Sequence, residues 1–160
     1  MAEKKQTKES FFNMSNEKTD FSKMFEAERE EWREKIQILA LEMKDIKTLA
    51  KAQVDMFSYR QILLEYSFKL AGIVSKLNSK YKVERARKMR EYTEGVNHRY
   101  GTNEKMLLID GDVSEISEKI ELVEGHRKFI DQTTQTVDHC LYGVKSRIAL
   151  EEYLRGSTVK

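Results

Sequence analysis

From Phe25 onward, apolar side chains return every seven residues. Phe25, Trp32, Leu39 and Ile46 hold one position of the repeat, and Ile36, Met43, Ala50 and Phe57 hold another. Steps of three and four bring such residues to one face of a helix, and three to four heptads in a row suggest a seam at which helices pair. The stretch from Glu26 to Glu34 is crowded with charge, as a solvated helix face is. Asp20, just ahead of Phe21, is a candidate N-cap with acidic residues following at Glu26 and Glu28. These features predict a heptad helix over residues 20–57. A flexible polar tail is expected over 1–19, where Phe11-Phe12 reads as a loose contact with the body.

The clean phase is lost near Val54–Ser58, which places a bend or break there. The pattern then runs through Leu63, Leu64, Phe68, Leu70, Ala71, Val74 and Leu77. A second helix is expected over 58–95, ending in a basic segment. Gly72 lies inside it, where glycine costs ~1 kcal/mol relative to alanine, and suggests a close helix approach. Residues 96–111 read as a loop with an apolar plug at Met106–Ile109 and a turn at Asp110-Gly111-Asp112. Asp112 with Glu115 then resembles a capping box.

The last helix, expected over 112–155 with a tail at 156–160, has the most regular repeat. Ile116, Val123, Ile130, Val137 and Val144 alternate with Ile120, Arg127, Thr134, Leu141 and Ile148. We expect Ile116, Ile120, Val123, Ile130, Val137, Leu141, Val144 and Ile148 to form an oligomerisation seam. Arg127 and Thr134 are polar insertions of the kind that set register or oligomer state.

Composition agrees with long helices. The 160 residues include no proline and seven glycines, so the ordinary punctuation of turns and strands is scarce. Charged residues make up 35% of the chain. That leaves little interior for a globule but enough for elongated helices with one apolar stripe each. The predicted fold class is all-α, with long helices and heptad-like seams joined into a helical oligomer.

The net charge of +2 hides an asymmetry. Residues 76–99 carry eight basic and three acidic side chains, whereas residues 104–155 carry seven basic and eleven acidic. The basic stretch holds Lys76, Lys80, Lys82, Arg85, Arg87, Lys88 and Arg90, with Tyr81 and Tyr92 among them and Arg99 following. Cations neutralise phosphates, and aromatic faces accept unpaired bases. The competing reading is a solvated helix face that pairs with the acidic last helix.

No catalytic constellation is visible, and the chain does not read as an enzyme. His98, His126 and His139 share no metal-ligand spacing, and no metal or other cofactor is expected. Asp110-Gly111-Asp112 lacks the remaining ligands of a calcium loop. Cys140, the only cysteine, sits within an apolar pattern and reads as a small core residue. Met1–Ser10 has no apolar core of a secretory signal, and no apolar run reaches the ~20 residues that span a bilayer. A location in the cytoplasm, away from membranes, is therefore expected.

Three segments resemble the T4-type phage recombination mediators, the UvsY-like family. They are Arg87-Lys-Met-Arg-Glu-Tyr-Thr-Glu-Gly95, Glu104-Lys-Met-Leu-Leu-Ile-Asp-Gly-Asp-Val113 and Val137-Asp-His-Cys-Leu-Tyr-Gly-Val-Lys-Ser-Arg147. The similarity covers about residues 59–155, and the helix over 20–57 is longer than the family implies. The resemblance implies a non-enzymatic protein that forms a ring-like homo-oligomer of six or seven subunits and binds single-stranded DNA. Such a protein helps a RecA-like recombinase displace the single-strand-binding protein, in the cytoplasm of a bacterial host. The family's DNA-contacting segment falls on Arg85, Arg87, Lys88 and Arg90, and Lys145-Ser146-Arg147 falls on the C-terminal helix. A structural coiled-coil or phage scaffold protein and an RNA-binding helical regulator remain as rivals.

Overall fold

A computed structural model of the chain describes residues 18–94 and 100–157. The expected tail, including Phe11-Phe12, and His98 and Arg99 lie outside the described residues. Those described form α1 (Lys18–Glu42), α2 (Ile46–Glu94) and α3 (Thr102–Ser157), with no strand among them. At 1.5 Å per residue these helices are about 37, 73 and 84 Å long.

The chain breaks at residues 43–45, well before the bend expected at Val54–Ser58. The break is made by hydrogen bonding, without glycine or proline. Asp45 caps α2: its Oδ1 accepts from the Lys47 backbone N–H at 2.9 Å. The Thr48 hydroxyl donates to the Glu42 carbonyl at 2.6 Å, which holds the two helix ends together. Arg147, reaching across from α3, donates to the Met43 carbonyl and, at 2.9 Å, to that of Lys44. A guanidinium placed there satisfies carbonyls that the end of α1 leaves unpaired, and its charge suits the negative end of the helix dipole. Arg147→Ala is therefore expected to cost about 1–3 kcal/mol of stability. A denaturant melt measures it, and an unchanged midpoint would show that the turn closes without this clamp.

Because of the break, Ile46 does not continue the line of Phe25, Trp32 and Leu39, nor Ala50 and Phe57 that of Ile36 and Met43. Phe25, Trp32 and Leu39 are buried, whereas Ile46 and Phe57 are exposed. On α2 the buried line is Leu49, Ala52, Met56, Leu63, Leu70, Val74 and Leu77. Further along, helix replaces the expected loop and plug over 102–111, because α3 already begins at Thr102. Its start is set by Gly101, whose N–H is accepted by the Glu104 carboxylate at 3.0 Å, one arm of a capping box. Asp110-Gly111-Asp112 continues the helix with no turn, and Ile109 and Val113 are fully buried. An added Cβ at Gly72 would meet nothing within 4 Å, so this glycine serves no close approach.

Helices consecutive in the chain run antiparallel, and α1 and α3 lie parallel. Trp32 packs edge-on against Tyr59 and Glu28 bonds Tyr66, so α1 folds back along α2. Arg60 bonds Asp138 and Ser67 bonds Asp131, each at 2.6 Å, so α3 returns along α2. The core joins all three helices: Phe25, Trp32, Leu39, Met56, Leu63, Leu70, Ile130, Val137 and Val144 lie in one cluster. α2 and α3 outrun α1. Past about Leu77 on α2 and Ile120 on α3 they continue as a two-helix arm.

The line expected to join copies is mostly interior to the single chain. Val123, Ile130, Val137, Leu141 and Val144 are buried, Ile116 and Ile120 half-buried, and Ile148 exposed. α1 and α2 of the same chain cover its buried residues. The polar insertions are satisfied locally: Thr134 donates to the Ile130 carbonyl at 2.9 Å, and Arg127 reaches Ser67 at 3.5 Å.

Candidate nucleic-acid interface

The basic segment forms the α2 side of the arm, where no cap, glycine or proline interrupts the helix before Glu94. Helical geometry sorts its cations into two groups. Arg85 and Lys88 turn toward α3, and the acidic start of α3 meets them. Arg85 pairs with Asp110 at 3.2 Å and Lys88 with Asp112 at 3.1 Å. Lys88 holds the Asp112 carboxyl below its usual range, with a further bond from Tyr92. The bond to Asp112 in turn raises the Lys88 ammonium.

The second group lies on another flank. Lys76, Lys80, Arg87 and Arg90 follow one another at steps of four, seven and three. Lys69, seven residues before Lys76, starts the same line. At 3.6 residues per turn all five fall within about 80° of each other and run about 32 Å along the helix. Arg87 is tied to its own helix by Glu84 and Glu91. Its hydrogen bond holds Glu84 below the ordinary carboxylate range. Lys69, Lys76, Lys80 and Arg90 have no ion pair among the described residues. Lys82 has none either among the described residues and lies on the opposite flank from Lys80.

The seven cations of the basic segment are thus divided. Three of the four residues expected as the main DNA contact, Arg85, Arg87 and Lys88, are already engaged, and only Arg90 of that set remains open. Lys76 and Lys80 also remain open, and Lys69, outside the dense run, lies on the same line. The aromatics are not free platforms. Tyr92 donates to Asp112 at 3.1 Å, and Tyr81 is half-buried at seven-residue steps from Val74 and Lys88 on the α3 side.

No group of His, Cys, Asp or Glu among the described residues is placed to hold a metal ion. No helix among them is long and apolar enough to cross a membrane. Cys140 is half-buried beside the core, and burial pushes its thiol up. His126 is completely buried, and His139 is exposed. A scan against protein-family models, a search of curated proteins and a search of solved structures each gave no match.

Proposed function

We propose that this chain is a non-enzymatic, single-stranded DNA-binding recombination mediator. It works as a homo-oligomer and helps a RecA-like recombinase load onto strands coated by single-strand-binding protein. The observation that carries the reading is the line of Lys69, Lys76, Lys80 and Arg90 along α2, which has no ion pair among the described residues. The residue match to UvsY-like mediators at Arg87–Gly95, Glu104–Val113 and Val137–Arg147 supports the same reading. Contact is made through phosphates, because the nearby tyrosines are engaged elsewhere. Phosphate contacts position a strand without reading its bases. One copy offers few cations, and several copies on one strand raise the avidity.

Each phosphate neutralised on a single strand contributes about 0.7 to the slope of log affinity against log salt. Lys76→Ala with Lys80→Ala is expected to flatten that slope by about 1.4 per engaged subunit. Arg85→Ala with Lys88→Ala should flatten it less, since those charges are spent on Asp110 and Asp112. A salt titration with oligonucleotides of differing sequence measures both. The companion assay is filament formation by the cognate recombinase on coated strands. No binding at low salt and no stimulation by the parent protein would favour a scaffold role instead.

A further inference from the structure

α2 carries a second apolar line on its outer surface. Ala50, Val54, Phe57, Gln61, Leu64, Phe68 and Ala71 follow one another at alternating steps of four and three. They lie roughly 100–150° round the helix from the buried line of Leu49, Met56 and Leu63. Val54 is 67% exposed, Phe57 55% and Phe68 76%. Leu64 is half-buried and is not among the residues packed on the core. One edge of the line is fixed by polar ties to α3, Arg60–Asp138 and Ser67–Asp131. The other edge holds Lys51, Ser58 and Glu65. Three heptads of such spacing make a seam that another helix fills, and an apolar patch of this extent on a surface marks an interaction site.

We infer that a second copy of this chain covers the line, with the two α2 helices antiparallel about a two-fold axis near Tyr59. The line is complementary to itself in that register. Val54 meets Leu64 of the second copy, Ala50 meets its Phe68, and Phe57 meets its Gln61, each twice by symmetry. Small residues face large ones, and the central glutamine is the polar position that fixes register. Glu65 of the second copy stands against Lys51 at both ends, a lysine that Glu42 and Asp55 of its own chain already engage. Glu65 has no ion pair within its own chain among the described residues and only accepts from Gln61 at 3.0 Å. Arg60, which approaches its own copy across the axis, already has its charge met by Asp138. The proposal rests on the reading above only in taking the chain to act in several copies. It moves the contact between copies from α3, whose apolar line is interior, to the outer face of α2.

The test uses the full chain without nucleic acid. The mass of the parent in solution is expected to be that of a dimer or a multiple of it. Phe68→Asp and Val54→Asp should each lower that mass at least two-fold while leaving the circular dichroism unchanged, because both positions are exposed. Ser58→Cys should give a covalent dimer under mild oxidation, since Ser58 faces its own copy. The parent, with Cys140 half-buried, is the control. A monomeric parent at tens of micromolar, a Phe68→Asp variant of parental mass, or a Ser58→Cys variant that stays uncrosslinked each overturns the contact. Oligonucleotide binding plays no part in these readings, so its failure would sink the DNA reading and leave this one standing.

Discussion

Val137→Asp is expected to unfold the bundle. Val137 is completely buried, as are Ile130 and Val144 one heptad to either side, and Leu141 and Thr134 are buried between them. The side chain stands in a cluster with residues of α1 and α2. A carboxylate placed without a partner in such surroundings costs roughly 3–5 kcal/mol, a large part of the whole stability of a domain. The thermal transition should fall steeply or vanish, with helix content lost at physiological temperature. Tyr142→Asp, at an exposed position five residues on, should melt like the parent. The pair of melts separates two uses of one pattern. If Val137→Asp kept the parental melting curve and changed only the mass in solution, the line would join copies after all.

The sequence could show which residues are apolar and at what spacing, but not what covers them. Val123, Ile130, Val137 and Val144 repeat so regularly that a contact between copies and one within the chain look alike. The deciding fact is that α1 folds back. That reversal depends on three residues, Lys44, Asp45 and the distant Arg147, and on a hydroxyl of Thr48. None of them is a breaker by type. A cap of this kind has a legible half, Asp45 placed to accept from Lys47, and an illegible half, a guanidinium arriving from about a hundred residues away. Lys145-Ser146-Arg147 drew notice as a motif; the role of Arg147 became plain only in three dimensions. Past the break the phase slips. Phe57 moves from an expected seam to the surface, and Leu49 takes over the interior.

At the arm the basic run was legible as composition, and its sorting was not. Arg85 and Lys88 could be told from Lys76 and Lys80 by helical angle once α3 was known to begin at Thr102. The expected loop over 96–111 hid this, because it took Asp110 out of the last helix and left Asp112 at its cap. The signal was present in Gly101 and Glu104, which together make half a capping box. A proline-free stretch gave no reason to stop the helix short of it.

His126→Ala is expected to release α1 before the rest of the bundle melts. His126 is fully buried where the three helices meet. Its ring stacks on Phe25 of α1 at 4.2 Å between centroids and meets Tyr66 of α2 edge-on at 5.6 Å. Its Nε2 donates to the Glu28 carboxylate of α1 at 2.9 Å, and the Tyr66 hydroxyl donates to the same oxygen at 2.6 Å. Burial alone would raise the Glu28 carboxyl; the bonds from His126 and Tyr66 and the His126 charge outweigh it and hold the group below its ordinary value. A carboxylate depressed on folding stabilises above its unfolded pKa, and that share is lost as pH falls through the folded value. The parent should therefore lose this contribution only below the ordinary carboxylate range. Removing the imidazole takes away a core ring and a bonding partner together, a loss of about 2–4 kcal/mol. His126→Phe keeps the stack and drops the bond, so it should fall between the parent and the alanine variant. Trp32, the one tryptophan, is buried on α1 and reports the release through its fluorescence. Its signal should shift at lower denaturant than the far-ultraviolet circular dichroism in His126→Ala, and together with it in the parent. Coincident transitions in the alanine variant would mean that the imidazole ties the whole bundle together and that α1 has no separate unfolding step.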